Sequence, residues 1–160
     1  AEIFNGITVN TPSISAIIAI VLAGVLLLAS GFASASEIAF FSLTPSDRND
    51  IDEQNHPSDE KISALLGDSE RLLATILITN NFVNVTIIML CNFFFMNVFV
   101  FHSPLAEFLI LTVILTFLLL LFGEIMPKIY SAQKTLAFCR FSAPVIYVLR
   151  LSLYTSDAAD

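Results

Sequence analysis

Three long stretches of this chain are almost wholly apolar, and each is long enough to cross a membrane as a helix. They cover approximately residues 14–42, 72–101 and 105–126. A bilayer has a hydrocarbon core about 30 Å thick, and because a helix rises about 1.5 Å per residue, about 20 apolar residues cross it. The pattern therefore predicts an all-α membrane protein with three transmembrane helices.

A fourth apolar stretch, residues 136–154, differs from the others because Arg140, Pro144 and Arg150 interrupt it. The two arginines leave at most nine uncharged residues between them, which is too short a run to cross a bilayer. We therefore predict that residues 128–154 form a cationic helix lying along the membrane interface. Residues 1–154 are interpreted as one membrane domain, and residues 155–160 as a tail or an end left by cloning.

A polar segment between the first two spans, residues 44–70, carries the start and stop signals of two short helices. Thr44 followed by Pro45 is typical of a helix cap and first helical residue. Ser58 would cap a second helix that ends at Gly67. We predict a helical hairpin on the cytoplasmic face. Its many acidic residues either bind cations or form a solvated surface.

The positions of the basic residues predict how the helices are oriented. The loop after the first span holds Arg48, Lys61 and Arg71, and the segment after the third span holds Lys128, Lys134, Arg140 and Arg150. Residues 1–13 and 97–107 contain no Lys or Arg. All seven basic residues therefore lie on one side if the N-terminus is outside and the C-terminus inside, as the positive-inside rule requires.

Composition supports a membrane protein and excludes several other classes. Hydrophobic residues make up 56% of the 160 residues and charged residues only 13%, whereas a soluble domain has about 25% charged residues. There is no basic patch, so we expect no nucleic acid partner. There is also no nucleophile–base pair, phosphate-binding loop or Cys/His metal centre, so we do not expect an enzyme. The apolar composition indicates a multi-pass protein of the cell membrane.

The second span contains five asparagines, which is unusual for a segment in contact with hydrocarbon. Asn80 and Asn84 are four residues apart, so both amides lie on one face of a helix. Polar side chains within a membrane normally face the interior of the helix bundle. Two roles remain open for this pair: hydrogen bonds to another helix, or ligands of a binding site.

The first span also carries polar residues on one face. Ser30, Ser34 and Glu37 are spaced four and three residues apart, which places them in one stripe. Small residues between them, such as Gly31 and Ala35, would allow another helix to approach closely. The serines by themselves suit close helix contact, whereas Glu37 is harder to explain in that way.

The third span ends in 123-GEIMPK-128, where an acid, a proline and a lysine follow an apolar run. Pro127 has no N–H, so the carbonyl of Gly123, four residues earlier, loses its helical partner. Glu124 adds a carboxylate beside it. Transporters build ion sites from such broken helices, and irregular backbone is tolerated at membrane depth where it lines a polar cavity. We favour an ion site with a helix break at Pro127 over a helix that simply reaches water here.

These polar groups together supply only oxygen atoms as ligands. They are the hydroxyl of Ser34, the amide carbonyls of Asn80 and Asn84, the backbone carbonyl of Gly123 and the carboxylate of Glu124. Ligation by oxygen alone favours a hard cation such as Mg²⁺ or Ca²⁺ over zinc or copper. The sequence therefore predicts a cation site between the three spans.

Three stretches together resemble the transmembrane domain of the CNNM/CorC family of magnesium transporters. They are 34-SASEIAFFSL-43, 71-RLLATILITNNFVN-84 and 123-GEIMPK-128. The family has a Ser-Gly-x-Glu-like motif in its first span, Asn residues opening its second, and Gly-Glu-x-x-Pro-Lys at the end of its third. Two positions depart from this pattern: Ala35 replaces the family's glycine, and Asn80-Asn81 stands where Gly-Asn is usual.

The resemblance implies a homodimeric Mg²⁺ transporter whose efflux is coupled to Na⁺ influx, with a belt of interfacial helices in the bilayer. It also implies a cytoplasmic CBS-type regulatory domain in the full-length protein. The ligand role passes to Ser34, Asn80, Asn84, the Gly123 carbonyl and Glu124. We expect Ser36, Glu37, Asn81 and Lys128 to support this site or to take part in coupling.

Two other functions remain open. A membrane-embedded sensor or scaffold would bind Mg²⁺ with the same ligands and regulate partners without transporting the ion. A purely structural helix bundle would bind no ion at all. Cation flux in proteoliposomes separates the first two functions, whereas the sequence does not.

Overall fold

The computed structural model describes residues 7–101 and 103–159, and nearly all of them are helical. The two strands are β1 (Ile7–Val9) and β2 (Phe99–Phe101). The helices are α1 (Ile14–Phe41), α2 (Pro45–Asp52), α3 (Asp59–Leu66), α4 (Ser69–Val98), α5 (Pro104–Leu120), a π-helical turn (Leu121–Ile125), α6 (Met126–Gln133) and α7 (Thr135–Ala159). The expectation of a helical membrane protein is confirmed.

Four helical segments of the described chain are long and apolar enough to cross a membrane: Ile14–Phe41, Ser69–Val98, Pro104–Gln133 and Thr135–Tyr154. The first three correspond to the three predicted spans, with ends that differ by a few residues. The fourth is the shortest and least apolar, and it contains Arg140 and Arg150. All four qualify by length and composition only, so the count of three spans and the orientation with the N-terminus outside stay predictions.

A two-stranded antiparallel ladder at one end of the bundle was not anticipated from the sequence. β1 pairs with β2 so that Ile7 lies opposite Phe101 and Val9 opposite Phe99. The N–H of Asn10 then donates to the carbonyl of Val98 at 2.6 Å. As a result, α4 ends at Val98 and residues 99–101, which the apolar pattern assigned to the second span, continue as a strand.

Two short helices form the hairpin between α1 and α4. α2 begins with a capping box in which the N–H of Asp47 donates to the hydroxyl of Thr44 and the N–H of Thr44 donates to the carboxylate of Asp47, both at 3.1 Å. Ser58 occupies the cap position of α3, but its side chain makes no capping bond. The carboxylate of Asp59 instead accepts a hydrogen bond from the N–H of His56.

The hairpin is held to α7 by a buried ion pair. The guanidinium of Arg140 donates through Nε and Nη2 to the two carboxylate oxygens of Asp59, at 3.0 and 3.2 Å. Asp59 is fully buried, so its charge depends on this arginine for compensation. Arg140, predicted to make α7 an interfacial helix, thus also contacts the hairpin.

Two apolar clusters hold the helices together. One joins the ends of α1 and α4 to the hairpin and α7 through buried side chains that include Phe40, Ile62, Leu72, Ile76 and Ile146. The other joins α1, α4 and α5 through buried side chains that include Ala23, Val83, Ile87 and Leu115. In the α1 sequence, the polar segment from Ser30 to Glu37 follows Ala23 and precedes Phe40. The site described next therefore lies between the two clusters.

Candidate metal centre

Ser30 of α1 and two asparagines of α4 meet between the first two spans. The hydroxyl oxygen of Ser30 lies 2.9 Å from Oδ1 of Asn80 and 2.6 Å from Oδ1 of Asn84. Ser30 and Asn80 are buried, and Asn84 is half-buried. The four-residue spacing of the asparagines aims both amides at one point on α1. Both therefore face another helix, as each of the two predicted roles requires.

At its centre, this cluster turns three oxygen atoms toward one another. A serine hydroxyl carries a single proton, which it can donate to one of the two amide oxygens at a time. The remaining close pair of oxygens repels unless one amide turns to present its NH₂ group or a positive charge lies nearby. Three oxygen atoms that share one proton form an environment suited to a cation.

The π-helical turn of the third span lies directly against Ser30. A Cβ atom added to Gly123 would come within 3.2 Å of the Ser30 hydroxyl oxygen. A Cβ atom added to Gly31, the next residue of α1, would come within 3.0 Å of Cγ of Pro127. The two glycines thus permit close contact between α1 and the third span on either side of Glu124.

The predicted break at Pro127 takes the form of a widened turn. Residues Leu121–Ile125 are wound as a π-helix, in which the N–H of Met126 donates to the carbonyl of Leu121, five residues earlier. The chain then continues as α6 to Gln133. A proline cannot supply an N–H to the regular helical ladder, and single π-turns are frequent at functional sites. Gly123 and Glu124 both lie within this turn.

Two of the predicted ligands have no protein partner among the described residues. Ser34, one helical turn from Ser30, is fully buried, and its hydroxyl makes no hydrogen bond. Glu124 is half-buried, and its carboxylate likewise has no hydrogen-bond or ion-pair partner within residues 7–101 and 103–159. Unpaired buried polar groups are costly and call for an explanation. Both groups are free to coordinate an ion.

The residues expected to support the site divide into two groups. Nζ of Lys128 lies 3.5 Å from Oε2 of Glu37, an ion pair that links α6 to α1. The hydroxyl of Ser36, in contrast, donates to the carbonyl of Phe32 in its own helix. Asn81 is exposed on α4, whereas Asn80 beside it is buried. The structure therefore brings Glu37 and Lys128 together and leaves Ser36 and Asn81 outside the cluster.

Sequence reasoning did not predict the surroundings of two buried serines. Ser30 was assigned to helix contact, although its position one turn before Ser34 on the polar stripe was a usable signal. Ser131 of α6 is fully buried, and its hydroxyl has no hydrogen-bond partner. No pattern in the sequence pointed to it. Among the described residues, no three His, Cys, Asp or Glu side chains converge, so the candidate site depends on hydroxyl, amide and backbone oxygens with one carboxylate.

One comparison with known proteins gives a match that covers most of the chain. A family model described as the cyclin M transmembrane N-terminal domain (CNNM) matches residues 20–155. The matched segment contains every residue of the candidate site, the hairpin and nearly all of α7. No individual curated protein matches the chain.

Proposed function

Because the chain belongs to the cyclin M (CNNM) family of transmembrane domains, we propose that it transports Mg²⁺ across the cell membrane. The proposed direction is efflux, coupled to the influx of Na⁺. The protein performs no covalent chemistry in this proposal, and Mg²⁺ is its cargo. The proposal goes beyond the family match, which establishes a membrane domain of this type.

One observation carries the proposal: Ser30, Asn80 and Asn84 place three oxygen atoms with one proton between them inside a bundle of apolar helices. Such an arrangement is unfavourable in hydrocarbon without compensation. If Ser30, Asn80 and Asn84 served only helix contact, one amide would be expected to present its NH₂ group to the serine oxygen. A cation among these oxygens supplies the missing positive charge.

The proposed ligands are the hydroxyl of Ser34, the amide oxygens of Asn80 and Asn84, the Gly123 carbonyl and the carboxylate of Glu124. Mg²⁺ prefers six oxygen ligands at about 2.0–2.1 Å and usually keeps some of its water. Glu124 supplies the only negative charge of this set. If an ion replaces the Ser30 proton at the amide oxygens, the loss of the two hydroxyl contacts is small, because a hydrogen bond contributes about 0.5–1.5 kcal/mol net.

The Glu37–Lys128 pair lies beyond the proposed ligands along α1 and the third span. Because it is only partly buried, it can open and close at modest cost. We place the coupling of Na⁺ to Mg²⁺ at this end of the site, where Glu37 can exchange Lys128 for a sodium ion. Asn81 and Ser36 are retained as candidates only for a rearranged state, since neither reaches the cluster in this one.

A sensor or scaffold is the second candidate, and the Asp59–Arg140 pair favours it. This buried pair ties the hairpin to α7, and through it a change in the membrane helices would reach segments outside the spans. A homodimer with a cytoplasmic CBS-type domain in the full-length protein would then report the bound ion. The same ligands serve both functions.

Flux measurements on the purified protein in proteoliposomes test the first proposal. We expect Mg²⁺ movement, followed with an encapsulated indicator, to depend on an opposing Na⁺ gradient and to stop in Asn84→Leu. Binding of Mg²⁺ without flux would favour the sensor. Absence of both would leave only the structural role.

A further inference from the structure

An apolar cavity of about 360 Å³ lies where α1, the π-helical turn, α6 and α7 meet. Gly31 forms part of its wall because its missing side chain leaves room beside Pro127. Leu28 and Phe122 line the same cavity and are exposed, so the cavity opens on the outer surface of the bundle. An apolar cavity on the outer surface of a membrane domain is accessible to lipid.

A second cavity of about 390 Å³ continues from the first along α7. The two share Tyr130 and Phe138, and the second reaches Lys134 and Phe141. Together they form one groove, which we call the α1–α7 groove. Its walls are apolar and aromatic except at the end where Lys134 lies.

Lys134 is the residue between α6 and α7, so it lies where the third candidate span ends. Its side chain is exposed, and Nζ stands 5.6 Å from the centroid of the Tyr130 ring. No carboxylate of the described residues is within ion-pairing distance of it. Lys128 and Arg140, by comparison, are paired with Glu37 and Asp59. The groove thus ends in a cation without a protein counter-ion.

We propose that the α1–α7 groove binds an anionic phospholipid, with an acyl chain in the apolar cavity and the headgroup phosphate at Lys134. Basic pockets between membrane helices on the cytoplasmic side bind anionic headgroups. The apolar cavity takes the chain through contact with hydrocarbon alone. This site does not depend on whether the protein transports Mg²⁺.

A second copy of this chain suits the groove less well than a lipid. Apolar helices of a partner would cover its walls, but they would leave Lys134 without a negative charge. The acidic residues are concentrated in residues 47–70, and two of them, Asp59 and Asp68, are already paired with Arg140 and Arg71. The charge at the end of the groove therefore favours a phospholipid.

Native mass spectrometry of the purified protein, with phosphatidylglycerol and phosphatidylcholine of identical acyl chains in competition, tests the proposal. One lysine near an anionic headgroup corresponds to about a fivefold preference for phosphatidylglycerol. We expect Lys134→Gln to abolish this preference. Lys61→Gln is the matched control, since Lys61 is exposed on α3 away from the groove, and we expect it to leave the preference intact.

Three results would overturn the proposal. The two lipids binding equally to the unmodified protein would remove the headgroup site. An equal loss in Lys134→Gln and Lys61→Gln would assign the preference to overall charge. If glycerol 3-phosphate, which has no acyl chain, displaced phosphatidylglycerol at similar concentration, the groove would hold a free phosphate and not a lipid. Both lysines are exposed, so we expect both variants to fold. Thermal unfolding, measured alongside, checks this.

Discussion

Ser30 and Asn84 are 54 residues apart in the chain, yet the hydroxyl oxygen of one lies 2.6 Å from the amide oxygen of the other. This contact joins α1 to α4 beside the π-helical turn. It satisfies the simplest expectation for Asn84, a polar contact between helices. It also places the amide oxygen where the proposed ion would bind, so the two roles of this asparagine must be separated by experiment.

Asn84→Leu distinguishes these roles, because leucine has a similar volume and no amide oxygen. If Asn84 is a ligand, the folded variant loses the Mg²⁺-dependent rise in melting temperature. If it only joins helices, the variant is less stable by about 0.6 kcal/mol, a typical value for such a bond in a membrane protein, and keeps its response to Mg²⁺. An unchanged response would remove Asn84 from the site.

Glu124→Gln should weaken Mg²⁺ binding much more than Glu107→Gln. Glu124 is the only charged member of the proposed ligand set, whereas Glu107 lies in the first turn of α5, on the predicted outer side. Both glutamates are half-buried, so the comparison holds burial nearly constant. Titration of the purified domain by calorimetry measures the two affinities. Equal effects would show that Glu124 does not bind the ion.

Ser30→Ala and Ser34→Ala should have opposite consequences. Ser30 contacts both amides, so its loss should lower stability by about 0.5–1.5 kcal/mol and leave much of the Mg²⁺ affinity. The hydroxyl of Ser34 has no protein partner, so its removal should cost little or even stabilise the protein without Mg²⁺, while it lowers the affinity. Chemical unfolding with and without Mg²⁺ measures both effects. A large loss of stability in Ser34→Ala alone would contradict the ligand role.

Gly31→Ala should destabilise the contact between α1 and the third span. The added Cβ would lie 3.0 Å from Pro127 Cγ, and overpacking of this kind costs about 1–3 kcal/mol. Gly24→Ala is the control in the same helix, because nothing lies within 4 Å of its added Cβ. That change should be neutral or should stabilise by up to about 1 kcal/mol through helix propensity. Thermal unfolding of the pair checks the difference, and equal melting temperatures would show that the contact is loose.

Arg140→Met should destabilise the protein far more than Arg71→Met. The first change leaves the fully buried carboxylate of Asp59 without its counter-ion, and breaking a buried pair in this way costs about 3–5 kcal/mol. Arg71 pairs with Asp68 at the surface, where such pairs contribute about 0–1 kcal/mol. Denaturant unfolding compares the two variants. A small effect at Arg140 would mean that water reaches Asp59.

Much of this fold could be predicted because single spans and caps are local properties. The apolar runs located α1 and α4, and Thr44 with Pro45 marked the start of α2. The ladder between β1 and β2 could not be predicted, since it pairs three residues near the N-terminus with three that are about 90 positions away and lie within an apolar run. The hydropathy pattern also does not predict whether α7 lies along the interface or packs against the hairpin, because its arginines can face either water or buried partners such as Asp59.

The sequence predicted several residues of the candidate site, but it did not predict how they are arranged. Periodicity placed Asn80 and Asn84 on one face of α4, and Pro127 signalled irregular backbone. The oxygen of α1 that meets the asparagines depends on how far α1 is shifted along α4. The sequence of neither helix alone determines this shift. Ser30 makes the observed contact with the asparagines, whereas Ser34, whose ligand role stays a prediction, has no hydrogen-bond partner among the described residues.

The π-helical turn has a mechanical consequence for the third span. A π-turn accommodates about one residue more than an α-turn, so rewinding Leu121–Ile125 as an α-helix would rotate everything beyond it by about 100° and shift it by about 1.5 Å. Lys128 would then turn away from Glu37, and Pro127 away from Gly31. A change of winding in the segment that carries Gly123 and Glu124 would therefore produce a large rotation of α6.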